Sequence, residues 1–509
     1  LIAIALVGMA IQMRVTWGGM GLSPDSVSYI QIARGIEAGY GYAIRLIDGT
    51  VMPQSHWPPV YPMVLAGGFW AGWEAGDTAF WLHAILLGVN IVLVGLIARR
   101  IGNGSGIAMC VAAGVMACST EVFAIHVMLA SEPLFLTLLL AGVLLLARAI
   151  QTQLMRPLVM AGVLLGFAWL TRYAGVGVIV AGSVWVLWYF RNAPLRRRAI
   201  AAGLYGLVAV VPTMLWIMWG AWQSGSLGNR KLLWHPPDGA AIQQLYDTAT
   251  RWMFPWGDVQ PAYTPWLALV VLALIVALWW VVNRSDPFTD SARRMSNVVG
   301  LMIVGYVGFL LLSVSLFDAY TQLDYRTLLP VQLLAIPLIC GAIVPLVKRL
   351  RVAMVVGVVI LFAARGVVLT GWVREAPVQS LGYNAKGWQE STLMAAIRQL
   401  PESPWVYSNR ADAIFACTGR AAIPLPRRID PTQGRPNADL PEELAKISRQ
   451  IQRRWGYVVI MRRSGPDYLI AEEELRSVGR LRLMERHRQG TIYRFSAFPE
   501  SDPLEKSAD

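Results

Sequence analysis

Hydrophobic and polar positions are distributed along this chain in long alternating blocks. Apolar runs such as Phe80–Ala98, Pro133–Ala147, Trp266–Val282 and Val352–Trp372 are separated by short polar loops. Runs of about 18 or more apolar residues are long enough to cross a bilayer as helices. The pattern predicts eleven spans, at roughly 1–18, 79–98, 104–120, 130–148, 157–172, 174–190, 199–219, 263–283, 296–315, 327–347 and 352–372. Three loops interrupt them on one side: 19–78, 220–262 and the short Phe317–Arg326. After residue 372 the block pattern stops. Short strand-like pieces (Trp405–Ser408, Tyr457–Met461, Thr491–Phe495) mix with helix-like ones (Ser391–Gln399, Pro441–Arg453). The expected fold class is a polytopic α-helical membrane domain over 1–372, followed by a small soluble α/β domain over 373–509. The last residues, Pro499–Asp509, read as disordered.

Composition agrees with this division. The 509 residues are 56% hydrophobic and only 15% charged, against about 25% charged in soluble domains. A single soluble core is excluded. The 44 Lys and Arg exceed the 31 Asp and Glu, for a net charge of +13, which raises the question of a nucleic-acid partner. The placement of the charges answers it. Arg99-Arg100, Arg148 with Arg156, Arg191 with Arg196–Arg198, Arg284 with Arg293-Arg294, and Lys348-Arg349 with Arg351 fall on alternate loops. That is the positive-inside pattern, so these loops are read as cytoplasmic and attracted to anionic lipid, with no nucleic acid involved. The first span is read as retained, because no small-residue cleavage site precedes the polar loop. The N-terminus then lies inside and the tail outside. Of fourteen acidic residues before 373, only Asp286 and Asp290 fall on inner loops. Cys110, Cys118, Cys340 and Cys417 have neither metal-type spacing nor a disulfide framework, and read as small buried apolar residues.

Candidate chemistry concentrates in the outer loops. Residues Ser23–Arg34 predict a short amphipathic surface helix, capped by Ser23 or Asp25, with Pro24 in its first turn. Tyr29, Ile32 and Ala33 share one face. The segment His56-Trp57-Pro58-Pro59-Val60-Tyr61-Pro62 predicts a rigid entry to an apolar helix, either a fixed turn or a platform presenting His56 or Trp57. Glu132 sits at a membrane edge, as a functional acid or an end-of-span residue. Arg365, within span eleven, either meets a lipid phosphate or snorkels, and Arg14 in span one reads the same way. His235–Asp238 and Phe254–Asp258 are either sugar-contacting or plain interfacial segments. Asp318 and Asp324 flank the loop before Arg326, and Asp324 is placed to pair with Arg326.

These pieces, in order, resemble the GT-C membrane glycosyltransferases, in the branch of protein O-mannosyltransferases, aminoarabinose transferases and arabinosyl- or galacturonosyl-transferring enzymes. The resemblance rests on Asp25, Tyr29 and Ala33-Arg34, Pro58–Pro62, Ser131-Glu132-Pro133-Leu134-Phe135, Gly162–Tyr173, Tyr325-Arg326-Thr327-Leu328-Leu329-Pro330, Val406–Asn409 and Thr418-Gly419-Arg420. It implies an inverting transfer of a sugar from a polyprenyl monophosphate to a lipid, glycan or protein acceptor. It also implies a multi-pass protein of the bacterial inner membrane, with its site on the periplasmic face. By the same resemblance Asp25 is the general base and Glu132 a second carboxylate. Arg326, Arg172 and His56 are the cations for the phosphate, and Tyr29, Arg34, Tyr325 and Arg365 are further substrate-side residues. Two departures stand out. Ser26 occupies the position where many relatives carry Glu, and there is no Asp-x-Asp motif, so a divalent metal ion stays open. Two other readings remain: a non-catalytic GT-C-like subunit, and a lipid-linked sugar transporter. The latter would show inverted repeats and broken midplane helices, neither visible in the sequence.

Overall fold

A computed structural model describes residues 1–47, 49–189, 194–224, 233–254, 260–317, 321–346, 351–379, 381–401, 405–430, 435–462, 470 and 472–497. Asp318, Pro255–Asp258, Lys348-Arg349, Arg191 and the segment 499–509 lie outside the described residues.

The apolar blocks fold as helices. They are α1 (Ile2–Val15), α4 (Ala75–Ile101), α5 (Gly106–Ala117) with α6 (Thr120–His126), α7 (Glu132–Thr152), α8 (Met155–Thr171), α9 (Val176–Tyr189), α10 (Leu195–Ser224), α12 (Thr264–Arg284), α13 (Asp290–Leu316), α14 (Tyr325–Leu346) and α15 (Arg351–Gln379). The outer segments add the surface helices α2 (Pro24–Glu37), α3 (Val60–Trp70) and α11 (Gly239–Arg251), and a hairpin of β1 (Ala43–Arg45) with β2 (Val51–Pro53). Each of the eleven expected spans falls on one of these helices. Among the described residues, seven helices are long and apolar enough to cross a membrane by length and composition, or eight if α5 and α6 form one span bent by 62°. α1, α8 and α9 are shorter apolar helices over their described residues. The bend was not visible in the sequence. It falls at Cys118-Ser119, where the Ser119 hydroxyl turns to Glu121 Oε2 at 2.7 Å.

α14 is the axis of the bundle, with 83% of its apolar window buried. Small residues let its neighbours approach closely. A Cβ on Gly341 would sit 2.9 Å from the Ala98 carbonyl, so α4 and α14 cross nearly backbone to backbone. Exposure corrects one further expectation: Cys110 faces outward, and all four thiols are free.

The tail carries a five-stranded sheet in the order β4-β3-β7-β9-β8. The strands are β3 (Val406–Ser408), β4 (Ile423–Pro424), β7 (Gly456–Met461), β8 (Arg480–Arg486) and β9 (Gly490–Ser496), with a small separate pair β5 (Ile429–Asp430) and β6 (Arg435–Pro436). Its helices are α16 (Lys386–Gln389), α17 (Thr392–Gln399), α18 (Ala411–Thr418), α19 (Leu440–Arg453) and α20 (Glu472–Arg476). This unit does not hang free. Val27 of α2 joins a buried apolar cluster with Tyr383, Leu393, Met394, Ile397 and Ile414.

A backbone interlock fixes where α2 begins. Gly21 donates to Val127 O (2.8 Å) and accepts from Leu129 N (2.8 Å), while Leu22 donates to Leu381 O (3.1 Å) and accepts from Tyr383 N (2.8 Å). Residues 21–22 therefore form a strand clasped by the α6–α7 link on one side and the tail on the other. Gly382 has φ +54°, and a Cβ there would lie 2.0 Å from the Leu22 carbonyl, so only glycine fits this closure.

Candidate active site

Local chemistry at the start of α2 determines what Asp25 is free to do. Ser23 is the cap: its hydroxyl accepts from Ser26 N (3.3 Å), and the Ser26 hydroxyl accepts from Ser23 N (2.9 Å). Ser26 also donates to Leu129 O at 2.6 Å and is fully buried. The residue that departs from the resembled family is thus built into the cap and the interlock, where a longer acid would have no room. Because Ser23 and Ser26 satisfy the first turn, Asp25 is released from capping and points elsewhere.

It points at Arg326. The Arg326 guanidinium donates from Nη2 to Asp25 Oδ2 and from Nε to Glu132 Oε1, and Arg172 pairs with the same Glu132 oxygen. Four groups far apart in sequence thus form one chain, Asp25–Arg326–Glu132–Arg172. Two carboxylates meet two guanidiniums, which is how buried charge is tolerated. Glu132 opens α7 with its side chain only 3% exposed. Arg172 ends α8 in an extended conformation that turns it back toward Glu132.

Arg326 is held from behind. Asp324 Oδ1 accepts from the backbone N–H of Arg326 (3.0 Å) and of Thr327 (3.1 Å). Asp324 therefore serves the helix start rather than the guanidinium. Burial pushes its carboxyl above the ordinary value. The preceding residue is clamped by α11: Leu323 N donates to Gln244 Oε1 (2.9 Å), and Thr248 Oγ1 donates to Leu323 O (3.3 Å).

Tyr29 lies one turn beyond Asp25, with its hydroxyl 3.2 Å from Ser131 Oγ. Burial first, then the charges of Asp25 and Glu132, push its phenol well above the ordinary value, so it stays a neutral O–H. Its ring meets Trp57 and Tyr61 edge-on, with centroids 5.4 and 5.2 Å apart. Tyr61 continues into a buried polar relay: Tyr61 Oη to His83 Nε2 (3.0 Å), His83 Nδ1 to His126 O (3.1 Å), and His126 Nε2 to Asn90 Nδ2 (3.3 Å).

Beside this lies an aromatic wall. Trp216 and Trp219 stack at 4.8 Å, and Tyr42 meets Trp216 edge-on at 4.7 Å. Trp216 Nε1 donates to Tyr173 Oη (3.2 Å), which donates to Ser55 O (3.1 Å). His56 stands edge-on to Trp57 at 4.7 Å. The rigid Pro58-Pro59 entry is pinned by Tyr42 Oη, which reaches the carbonyls of Trp57 (3.0 Å) and Pro58 (3.1 Å).

The structure thus gathers Asp25, Glu132, Arg172, Arg326 and Tyr29, with Tyr325 next to Arg326 and His56 on the aromatic flank. Two expected residues are not gathered. Arg34, at the far end of α2, is exposed and reaches Glu74 at 3.7 Å. Arg365 donates to the Trp252 carbonyl at 2.5 Å, closing the C-terminal end of α11. It is bound within the protein rather than reaching toward an interface. Sequence reasoning missed the aromatic wall, because Tyr42, Tyr173, Trp216 and Trp219 belong to three separate segments. It also missed the His83–His126–Asn90 relay. The interfacial placement of Trp216 and Trp219 was their only signal.

No group of three His, Cys, Asp or Glu converges among the described residues, and the facing oxygens of Asp25 and Glu132 already share a guanidinium. Glu132 Oε2 is the exception, a buried oxygen without a hydrogen-bond partner. A hydroxyl suits that position better than a cation needing six oxygens.

Part of the chain matches a known family, and the fold as a whole has solved counterparts. The profile of the family described as dolichyl-phosphate-mannose-protein mannosyltransferase matches residues 56–219. The fold is shared with ArnT from Cupriavidus metallidurans bound to undecaprenyl phosphate, at a TM-score of 0.60 and 14% identity, over 98% of this chain and 99% of that one. The Archaeoglobus fulgidus oligosaccharyltransferase is similar over 90% of this chain and 68% of that one, at a TM-score of 0.51 and 13% identity. Comparison with curated protein sequences finds no match.

Proposed function

We propose that this protein is an inverting glycosyltransferase that moves a sugar from a polyprenyl monophosphate to an acceptor hydroxyl on the non-cytoplasmic face. The observation that carries the reading is the chain Asp25–Arg326–Glu132–Arg172. The undecaprenyl phosphate bound to the similarly folded ArnT supports the lipid class of the donor. The arginine-rich loops at the opposite end of the bundle support the sidedness.

The chemistry follows from which partners exchange. A donor phosphate competes for the guanidiniums of Arg326 and Arg172, which suit phosphate oxygens geometrically. As Arg326 turns to the phosphate, Asp25 Oδ2 is released to accept the acceptor's proton. The acceptor oxygen then bonds the anomeric carbon from the face opposite the phosphate. The bond between that carbon and the phosphate oxygen breaks, and its electron pair leaves with the polyprenyl phosphate, whose charge the two arginines hold. Glu132 stays paired with Arg172 and offers its free Oε2 to a sugar hydroxyl. The apolar face of the sugar has Trp57 and Trp216 to pack against.

The test is transfer by the purified chain in liposomes, using a panel of radiolabelled polyprenyl-phosphate sugars and extracted envelope acceptors. Asp25→Asn keeps the shape and removes the base, so transfer is expected to fall about 10²- to 10⁴-fold with donor binding retained. Near-wild-type transfer by the variant would remove Asp25 from the role. Donor binding with no transfer to any acceptor would favour the non-catalytic subunit, and movement of intact donor across the bilayer the transporter.

A further inference from the structure

The end of the bundle away from the carboxylates holds a second concentration of arginines, built quite differently. α4 ends there, α13 begins there, and α7 passes through. Leu144 is twelve residues along α7 from Glu132, about 18 Å at 1.5 Å per residue. Between the three helices lies a cavity of about 490 Å³, lined by Leu96, Arg99, Arg100, Leu144, Thr289 and Ser291, with Asn103 and Gly104 at its rim.

Three observations define what it would hold. First, its charge is unanswered. Arg99 Nε reaches only the Gly104 carbonyl (3.3 Å) and Arg100 Nη1 only the Leu144 carbonyl (3.4 Å). Arg148, one turn past Leu144, lies close enough to repel Arg100. Among the described residues none of the three pairs with a carboxylate. The acids nearest in sequence are turned away: Asp286 and Asp290 face Arg293 at 4.0 and 3.9 Å. Second, the rim is preformed. Asn103 adopts φ +54°, a conformation asparagine tolerates. From there it donates to Pro287 O (2.8 Å) and accepts from Thr289 N (3.0 Å) and Thr289 Oγ1 (2.9 Å). That clasp ties the end of α4 to the start of α13, whose 27 residues direct their positive dipole end here. Third, the cavity is amphiphilic: Leu96 and Leu144 are half-buried apolar walls below the cationic rim.

A cationic rim over apolar walls, at the level where a bilayer's headgroups lie, fits one class of ligand. We infer that this cavity is a binding site for the phosphodiester headgroup of an anionic membrane phospholipid, with Arg99 and Arg100 on the phosphate, Ser291 at the helix start as a further donor, and Leu96 and Leu144 against the upper acyl chain. It is separate from the carboxylate cluster and does not depend on the transfer reaction.

The experiment uses the full chain in nanodiscs made either of phosphatidylcholine alone or with one-fifth phosphatidylglycerol, reading retained lipids by native mass spectrometry and unfolding temperature. The wild type is expected to retain phosphatidylglycerol selectively and to unfold at a higher temperature in its presence. The double substitution Arg99→Gln with Arg100→Gln should abolish the selective retention and most of the temperature shift. Arg293→Gln, which removes a charge already answered by acids outside the cavity, should leave both unchanged and shows that net charge alone is not being read. If the double variant folds poorly, Ser291→Glu with native arginines places a carboxylate at the cavity and should weaken retention by itself. Equal retention of both lipids by the wild type, or undiminished selectivity in the variants, overturns the inference. Displacement of the lipid by millimolar inorganic phosphate would show a free-phosphate site instead and overturns it equally.

Discussion

The two ends of the bundle carry arginines in opposite states. At one end Arg172 and Arg326 are locked to Glu132 and Asp25, two cations to two anions, in a largely buried chain. At the other, Arg99 and Arg100 reach only backbone carbonyls, Arg148 lies close to Arg100, and among the described residues none of the three pairs with a carboxylate. The difference is one of when neutralisation happens. The first set is complete in the protein alone, so a ligand acts there by exchanging partners, and an anion that takes an arginine must free a carboxylate. That is what a base needs. The second set is incomplete until something from outside supplies negative charge. It can anchor or stabilise, but it has no proton acceptor to release.

The largest effect should come from breaking the closed set at its hub. Glu132 pairs with both arginines and is nearly fully buried. Glu132→Ala leaves Arg172 and part of Arg326 unanswered, and such losses cost about 3–5 kcal/mol. Thermal unfolding in detergent should show a markedly less stable protein, with transfer lost as well. An unfolding temperature equal to wild type would mean the chain is not the closed unit described.

Arg326 separates positioning from charge. Arg326→Gln removes the cation proposed to face the leaving phosphate and should lower kcat about 10²- to 10³-fold. Arg326→Lys keeps a charge but cannot span two carboxylates with a planar fork, so it should fall between the two. If lysine restored full activity, bridging of Asp25 and Glu132 would have no functional weight.

Much of this contrast was readable before any fold was known, and the reasons differ by feature. The spans were legible because apolar length signals a membrane directly. The tail strands at 406–408, 456–461 and 490–496 were legible from their β-branched and aromatic runs. β8 was not, since its residues Arg480–Arg486 alternate charge with leucine on an edge. Asp25, Glu132, Arg172 and Arg326 were each identifiable as charges beside a membrane. That they form one chain was not legible, because nothing local relates positions 25, 132, 172 and 326. The role of Ser26 was illegible: it depends on the Leu129 carbonyl, a hundred residues away. The arginines at the other end were read only as topology anchors, since a cavity has no sequence signature.

The open set predicts an opposite sign. Arg100→Gln, in detergent without anionic lipid, removes repulsion from Arg148 rather than a favourable pair. Stability should stay within about 0.5 kcal/mol of wild type or rise slightly, with transfer unaffected. A loss comparable to that of Glu132→Ala would mean Arg100 has a partner of its own, and the contrast between the two ends would fail.

The smallest effect belongs to Arg34, which the family resemblance placed on the substrate side. It sits on α2 with Asp25, but nine residues on, which is two and a half turns and about 13 Å along the axis. Its partner Glu74 is 3.7 Å away, and both side chains are more than half exposed. Water screens such a pair, and holding two long side chains together costs entropy that offsets most of the attraction. Arg34→Gln should therefore leave transfer within about twofold of wild type, with the same donor KM, because neither the phosphate-facing cations nor the base has moved. A raised donor KM with unchanged kcat would place Arg34 on the donor after all. In that case α2 would have to present two of its faces to the substrate, and the clasp of residues 21–22 between Val127–Leu129 and Leu381–Tyr383 would have to open to allow it.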